Sequence, residues 1–498
     1  MPRKPAEQWS AWVRCSCAFV VAALALAGCG YPLIHGGQVD QKQAASVESG
    51  VARIRQLDFT KKVPMVINTP DQAQRVMIAQ IARDHSDEDL RIGGESGAMT
   101  GLYPPNIDLK RQTLELLRDE VIGFYNPDTK QMVIVLGPHN HEWINVKGFG
   151  PGLGAMVLAH ELTHALQDQH FGIEKMLKRV KDNDDQTLAL KSVAEGDATL
   201  AGFGYVAGRL KPAKIELLVS QLDALPANSA VQEHGIPLAI TVPMLFQYSG
   251  GSRFVAEAWR RGGWAAVDQL YRNPPHSTQQ IMQPELYFDH PAPPVRIELR
   301  GYEDLLRGWK KVDDDTYGEL LLKLIFQRNL PADAPAFGTL PRWAGDRIIT
   351  LQKDKELTLL WLVAFHDQAA AGEFADAYSR ILDHLGGKSN PHGIATHAAA
   401  VFIAIGPGAK DFARLQPEVW KASRISPTFA DEATQKLANR IMWDRLSSLS
   451  SLYRKEKKTG CKACPASPCV ADVTENLNRL KLIATSTHQS PVHRTPAG

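Results

Sequence analysis

The sequence predicts an α+β fold, and three observations predict it. Short β-rich runs cluster before residue 140 and again after residue 340, and between them lie long stretches with helical spacing of apolar residues. The chain has 498 residues, of which 44% are hydrophobic and 22% charged, enough for a large core and for two or three domains. Lys and Arg number 56 against 54 Asp and Glu, a formal charge of +2. That balance gives no reason to expect a nucleic-acid partner.

Arg3, Lys4 and Arg14 precede an apolar run from Ala18 to Ala27 that is too short for a stable membrane span. The run reads as a signal peptide over 1–28. Its end, Leu26-Ala27-Gly28-Cys29, resembles the bacterial lipobox, which makes Cys29 the lipidated residue and the membrane a partner through an N-terminal anchor. The expected location is the bacterial cell envelope, and the outer membrane where the cell has one, because Gly30 is not the Asp that retains lipoproteins at the inner membrane. A plain secretory signal is the alternative. Residues 29–61 are polar, then mildly helical from Ala44 to Leu57, and read as a tether.

Val63 to Ile67 is a strand, and Thr69-Pro70-Asp71 opens a helix with a capping hydroxyl and Pro in the first turn. A second helix follows from Asp108 to Arg118. Val121–Tyr125 and Gln131–Val135 then form a hairpin about a Pro-Asp turn. Pro138 to Gly154 is a Gly- and Pro-rich loop, whose His139 and His141 read as solvated.

The next stretch, GLGAMVLAHELTHALQDQHF, has the apolar density of a buried helix and ends at Gly172. It carries His160-Glu161-Leu162-Thr163-His164. On a helix this H-E-x-x-H pattern sets two imidazoles one turn apart on one face with a carboxylate beside them, an arrangement suited to Zn2+. Such a site needs one more protein ligand. Glu195 lies among apolar residues on the following helix, Thr187 to Tyr205, where an unpaired carboxylate is costly. It is the expected third ligand, with a structural ion pair as the alternative, and Glu161 is the expected general base.

HELTHALQDQHF followed by AEGDA resembles the gluzincin metallopeptidases, the thermolysin-like clan, and more narrowly a set of little-characterised bacterial and archaeal proteins. The likeness extends over roughly residues 60–410, through VIGFYNPDTKQMVIV, GGSRFVAEAWRRGGWAAVDQLYRNPPHSTQQIMQPELY and WAGDR. It implies a zincin-like catalytic domain, over 62–335, with an N-terminal sheet and a mostly helical lower half. It also implies a zinc site of His160, His164 and Glu195 with Glu161 as catalytic base. Two positions depart from it. The Asp expected four residues after the ligand Glu is Thr199, with Asp197 nearer as a residue that supports the site or merely caps the helix. The His expected before Pro-Glu-x-Tyr is Gln283.

Lys214 to Gln247 reads as two helices containing His234, Ser252 to Arg261 as another, and a further helix starts at Gly262-Gly263-Trp264 and ends at Asn273-Pro274-Pro275. Tyr248, His276 and Tyr287 are candidates for polarising a substrate carbonyl, each with a structural hydrogen bond as its alternative role. Residues 336–425 change rhythm. Strands at 346–351, 357–365 and 398–405 with a helix from Gln368 to Leu385 make a small β-β-α-β domain. Trp343-Ala344-Gly345-Asp346-Arg347 at its entrance reads as structural. The last segment, 426–498, holds a helix from Phe429 to Lys458 and Cys461, Cys464 and Cys469, either a disulfide with a spare thiol or a second metal site with His488 and His493.

The expected function is hydrolysis of a peptide or protein substrate by a membrane-anchored zinc metallopeptidase. The alternatives are zinc hydrolysis of a non-peptide amide and a zinc-binding surface lipoprotein with a binding or chaperone role.

Overall fold

Mixed sheets and helices make up this computed structural model, which describes residues 34–35, 38–118, 123–136, 152–223, 235–386 and 391–428. The signal segment with Cys29, the histidines 139, 141 and 234, and everything from Phe429 onward, including the three late cysteines, lie outside the described residues. The elements run β1 (Ile34–His35), β2 (Gln38–Val39), α1 (Gln41–Arg55), β3 (Met65–Asn68), α2 (Pro70–Asp84), α3 (Asp87–Met99), α4 (Leu109–Arg118), β4 (Gly123–Asn126) and β5 (Gln131–Val135). The two long helices α5 (Gly152–Phe171) and α7 (Asp184–Val206) follow, with the short α6 (Ile173–Arg179) between them. Then come α8 (Pro212–Asp223), α9 (Leu238–Arg272), α10 (Thr278–Met282), α11 (Glu285–Phe288), β6 (Arg296–Glu298), β7 (Lys310–Asp315) and α12 (Gly318–Asn329). The last are β8 (Trp343–Lys353), β9 (Glu356–Phe365), α13 (Gln368–Gly386), β10 (His392–His397), β11 (Ala400–Ile405), α14 (Phe412–Ala422) and β12 (Arg424–Ser426).

The first sheet has the order β3-β5-β4. Val66 pairs with Val133 in parallel, and Tyr125 with Met132 in antiparallel register, so the expected hairpin forms and leaves β4 at an edge. Thr69 caps α2, its hydroxyl accepting from the Gln72 N–H while the Gln72 side chain accepts from the Thr69 N–H, as its Thr-Pro start predicts. Under this sheet, Leu158, Ala159, Leu162, Ala165 and Leu166 of α5, all at most 2% exposed, pack with Met132 and Ile134 of β5 and Val47 and Val51 of α1.

That packing corrects the tether. From Gln41 to Arg55 the chain is a helix capped by Asp40, and its Val51 and Arg55 are both fully buried. Its mean hydropathy is low because only one stripe faces the core, so composition alone reads it as a linker.

The second sheet has the order β10-β11-β9-β8-β7, antiparallel throughout, with α13 packed on it through Phe374, Tyr378 and Ile381. Its helix and its three expected strands are present. It also contains β10 and the edge strand β7, which lies upstream of the boundary expected at 336. The boundary therefore crosses the sheet. Asp346 on β8 shows why the join is tight. Its carboxylate accepts from the backbone N–H groups of Tyr317 and Gly318 and from the indole N–H groups of Trp343 and Trp361, at 2.9 to 3.1 Å. The described residues up to Thr428 form one compact unit.

In the helical region, α9 runs through Gly250-Gly251, where the sequence suggests a break, and departs from helical geometry at Gly262 and Gly263 (φ 63°), as the sequence suggests. The reason it continues is a close helix crossing. A Cβ on Gly251 would lie 2.1 Å from the Ser192 carbonyl oxygen of α7, and one on Gly196 would lie 2.3 Å from the Gly251 carbonyl oxygen. Only hydrogen side chains let these backbones touch, and the contact fixes α9 against the helix that carries Glu195.

Candidate metal centre

His160 and His164 share one face of α5 because four residues make about one turn. Their rings are 4.8 Å apart and edge-on. Across from them α7 presents Glu195. The His160 Nε2 to His164 Nε2 distance is 3.1 Å, His160 Nε2 to Glu195 Oε2 is 3.1 Å, and His164 Nε2 to Glu195 Oε2 is 3.4 Å. A tetrahedral ion with ligand bonds of about 2.0–2.2 Å separates its ligand atoms by about 3.3–3.5 Å. The three donors thus span nearly the triangle that zinc requires, and they fit the ion.

Glu161 stands beside them, its carboxylate and the two imidazoles together spanning no more than 4.8 Å. It differs from Glu195 in having a protein donor of its own: the Tyr125 backbone N–H donates to Glu161 Oε2 at 2.9 Å. One oxygen is thereby held at the edge of β4. The same tyrosine donates its hydroxyl to Asp168 at 2.8 Å, so this residue ties the hairpin to α5 at two points. Burial raises the Glu161 carboxyl above the usual carboxylate range, and His160 and His164 work against that rise. Burial opposes ionisation of both Glu195 and His164. Their mutual attraction outweighs it, holding Glu195 well below the usual range and carrying His164 up to about 10 in the metal-free chain. The site calls for positive charge.

The orientation of His164 comes from Gln167, three residues further along α5. His164 Nδ1 lies 2.9 Å from Gln167 Oε1, an oxygen that can only accept. The amide is not free to flip, because its nitrogen donates to Ala194 O at 2.9 Å and Asp197 Oδ2 at 3.2 Å, both acceptors. Nδ1 therefore carries a proton, and once Nε2 gives up its own it would present a lone pair to a metal. Asp197 itself reaches neither histidine. It is fully buried, bonded to Arg55 Nε at 2.7 Å and to the Tyr271 hydroxyl at 2.7 Å, while Arg55 also pairs with Asp268 and stacks over Trp264. Its support of the site runs through Gln167.

Residues 304–415 match a family described only as a domain of unknown function (DUF8575). The match covers the second sheet and α13 and does not include the histidines. No curated protein and no solved structure matches the chain.

Of the three residues expected near a substrate carbonyl, the structure brings one to the site. The Tyr248 ring lies 6.0 Å from His160, tilted by 28°, and lines a cleft of about 640 Å3 together with Glu161, His164 and Glu195. Tyr287 packs on Phe254 and Phe288 and gives its hydroxyl to Asn273 O, a structural role. His276 faces a separate cleft of about 570 Å3, where Gln186 Nε2 is 3.3 Å from its Nδ1 and burial lowers its pKa. Gln283 donates to Glu319 at 3.0 Å, and the departure at that position leaves the centre untouched. Gln167, Arg55 and the Tyr125 backbone are the participants that sequence reasoning missed. Only Gln167 has a sequence signal, a polar residue three places after His164 and so on the helix face that carries both histidines.

Proposed function

We propose that the protein is a zinc-dependent metallopeptidase of zincin-like architecture, anchored in the bacterial cell envelope through a lipid on Cys29. The observation that carries the reading is the donor triangle of His160 Nε2, His164 Nε2 and Glu195 Oε2, with the separate, half-buried carboxylate of Glu161 at its side. A zinc ion held by these three residues supplies Lewis acidity toward water and toward a substrate carbonyl.

Glu161 supplies the proton chemistry. With Oε2 held by Tyr125 N–H, its other oxygen takes the proton from the attacking water and delivers it to the leaving amine. A carboxyl raised by burial is suited to both steps, since its proton affinity lies closer to working pH. The Tyr125 N–H points away from β5 toward Glu161, so by the alternation of an antiparallel strand the outer edge of β4 carries the peptide groups of Tyr125 and Gly123. With the Tyr125 N–H committed to Glu161, an extended substrate can pair with the Gly123 peptide group and the Tyr125 carbonyl, next to the base. Tyr248 borders the same cleft beside His160.

Wild type and Glu161→Gln are to be compared for bound zinc and for cleavage of a peptide library. Equal zinc with activity down by about 10²- to 10⁴-fold in the variant is the expected result. Wild type that holds zinc and cuts no peptide refutes the peptidase, and wild type that takes up no zinc under metal-replete conditions refutes the metal centre as well.

A further inference from the structure

The cleft around the metal centre is lined by three cationic side chains whose charges are unequally committed. Its lining contains Arg83, Lys110 and Lys191, against only two acids, Glu161 and Glu195, both turned to the imidazoles. Arg83 is paired with Asp128 in the hairpin turn, and Lys110 with Asp87 at 2.7 Å. Lys191 has no ion pair among the described residues and its side chain is exposed. It sits on α7 four residues before Glu195, and therefore one turn away on the same face as that ligand. The lining also has apolar side chains, Met77, Ile81, Leu90 and Phe124, and the polar Gln80, His85 and Thr113. An unpaired cation lining the cleft, one helical turn from the proposed reaction centre, is placed to meet one complementary group on a bound chain.

We infer that Lys191 is a specificity-determining residue that recognises a carboxylate on the substrate peptide, close to the bond cut. The inference rests on the peptidase reading for what is done to the peptide, but the preference itself is a property of binding. Two carboxylates have this chemistry, an Asp or Glu side chain and a free C-terminus, and they correspond to cutting within a chain and cutting near its end.

Zinc-loaded, full-length Glu161→Gln protein binds peptide without consuming it, and fluorescence anisotropy with labelled peptides reads its affinity. Sequence-matched sets carry Glu, Gln or Lys at one position with an amidated C-terminus, and a further neutral set has a free C-terminus. The Glu set, the free-C-terminus set or both should bind about tenfold tighter than the neutral amide, the scale of one charge-assisted hydrogen bond. The preference should shrink in salt, survive Lys191→Arg and reverse toward the Lys set in Lys191→Glu. Retention in Lys191→Arg separates loss of charge from loss of fold. Equal affinity across the sets, or a preference unmoved by Lys191→Glu, overturns the inference. Failure of wild type to cut peptides that its variant binds with this preference refutes hydrolysis alone.

Discussion

Replacing Gln167 by Leu removes three hydrogen bonds at nearly constant volume, and the three have separable consequences. The bond from His164 Nδ1 at 2.9 Å orients a proposed metal ligand, whereas those to Ala194 O at 2.9 Å and Asp197 Oδ2 at 3.2 Å join α5 to α7. Loss of the first should weaken zinc binding by about 10- to 100-fold, as for other partners of ligand histidines, or about 1.4–2.8 kcal/mol. Loss of the other two strips the amide donor from a buried carbonyl and from a carboxylate that keeps Tyr271 and Arg55, at a cost of about 1–3 kcal/mol to the metal-free fold. Competition against a chromogenic chelator measures the first effect, and thermal unfolding in chelator the second. Gln167→Glu discriminates further. It keeps an acceptor for Nδ1 but sets a charge against Asp197, so it should hold zinc while losing stability. Zinc affinity unchanged in Gln167→Leu, with only the metal-free stability lowered, would refute the orienting role and leave Gln167 as a packing residue.

Asp185 should give the fold a pH dependence of its own. Burial pushes its carboxyl up to about 8, against the bonds from Thr278, so its contribution to stability is complete below the unfolded value of about 4 and is lost as pH rises through about 8. Asp185→Asn should therefore unfold at a higher temperature than wild type near pH 9 and lose that advantage near pH 5, and a constant difference would contradict the assignment. Zinc loading should also release a proton. His164 sits at about 10 without metal, while a metal-bound imidazole is neutral, so calorimetry in buffers of different ionisation enthalpy should show about one proton leaving at neutral pH. No buffer dependence would place the proton elsewhere.

The parts of the site that follow from local spacing were legible in the chain. Two histidines four residues apart need only a helix to converge, and Gly172, at φ 65°, ends that helix where its position suggests. Glu195 was legible by elimination, since a carboxylate among apolar residues must find a partner. Direction across tertiary contacts was not. Tyr248, His276 and Tyr287 have equal standing as residue types near a cleft, and only helix rotation separates the one beside His160 from two that satisfy backbone or amide groups. Arg55 was hidden because a helix with a single buried stripe has the composition of a linker. Strand β7 was hidden for a related reason. KKVDDD lacks the β-rich pattern because it is the sheet's edge, where charge discourages pairing with another chain.

The charge balance explains why an amide, and not a carboxylate, contacts His164 at Nδ1. With both imidazoles neutral, Glu161 and Glu195 leave the centre at −2, which a divalent cation cancels. The carboxylate expected by resemblance four residues after Glu195 is absent, that position being Thr199, and the nearby Asp197 is turned to Arg55. An acid placed directly on His164 would carry the centre to −3 and raise the proton affinity of Glu161 further, beyond what burial already does. Gln167 instead transmits orientation without charge, and Arg55 neutralises Asp197 two residues from the ligand Glu195. On this argument the helix α1, which composition assigns to a tether, is part of what holds the site, because without Arg55 the buried Asp197 charge would stand uncompensated beside Gln167, the residue that orients His164.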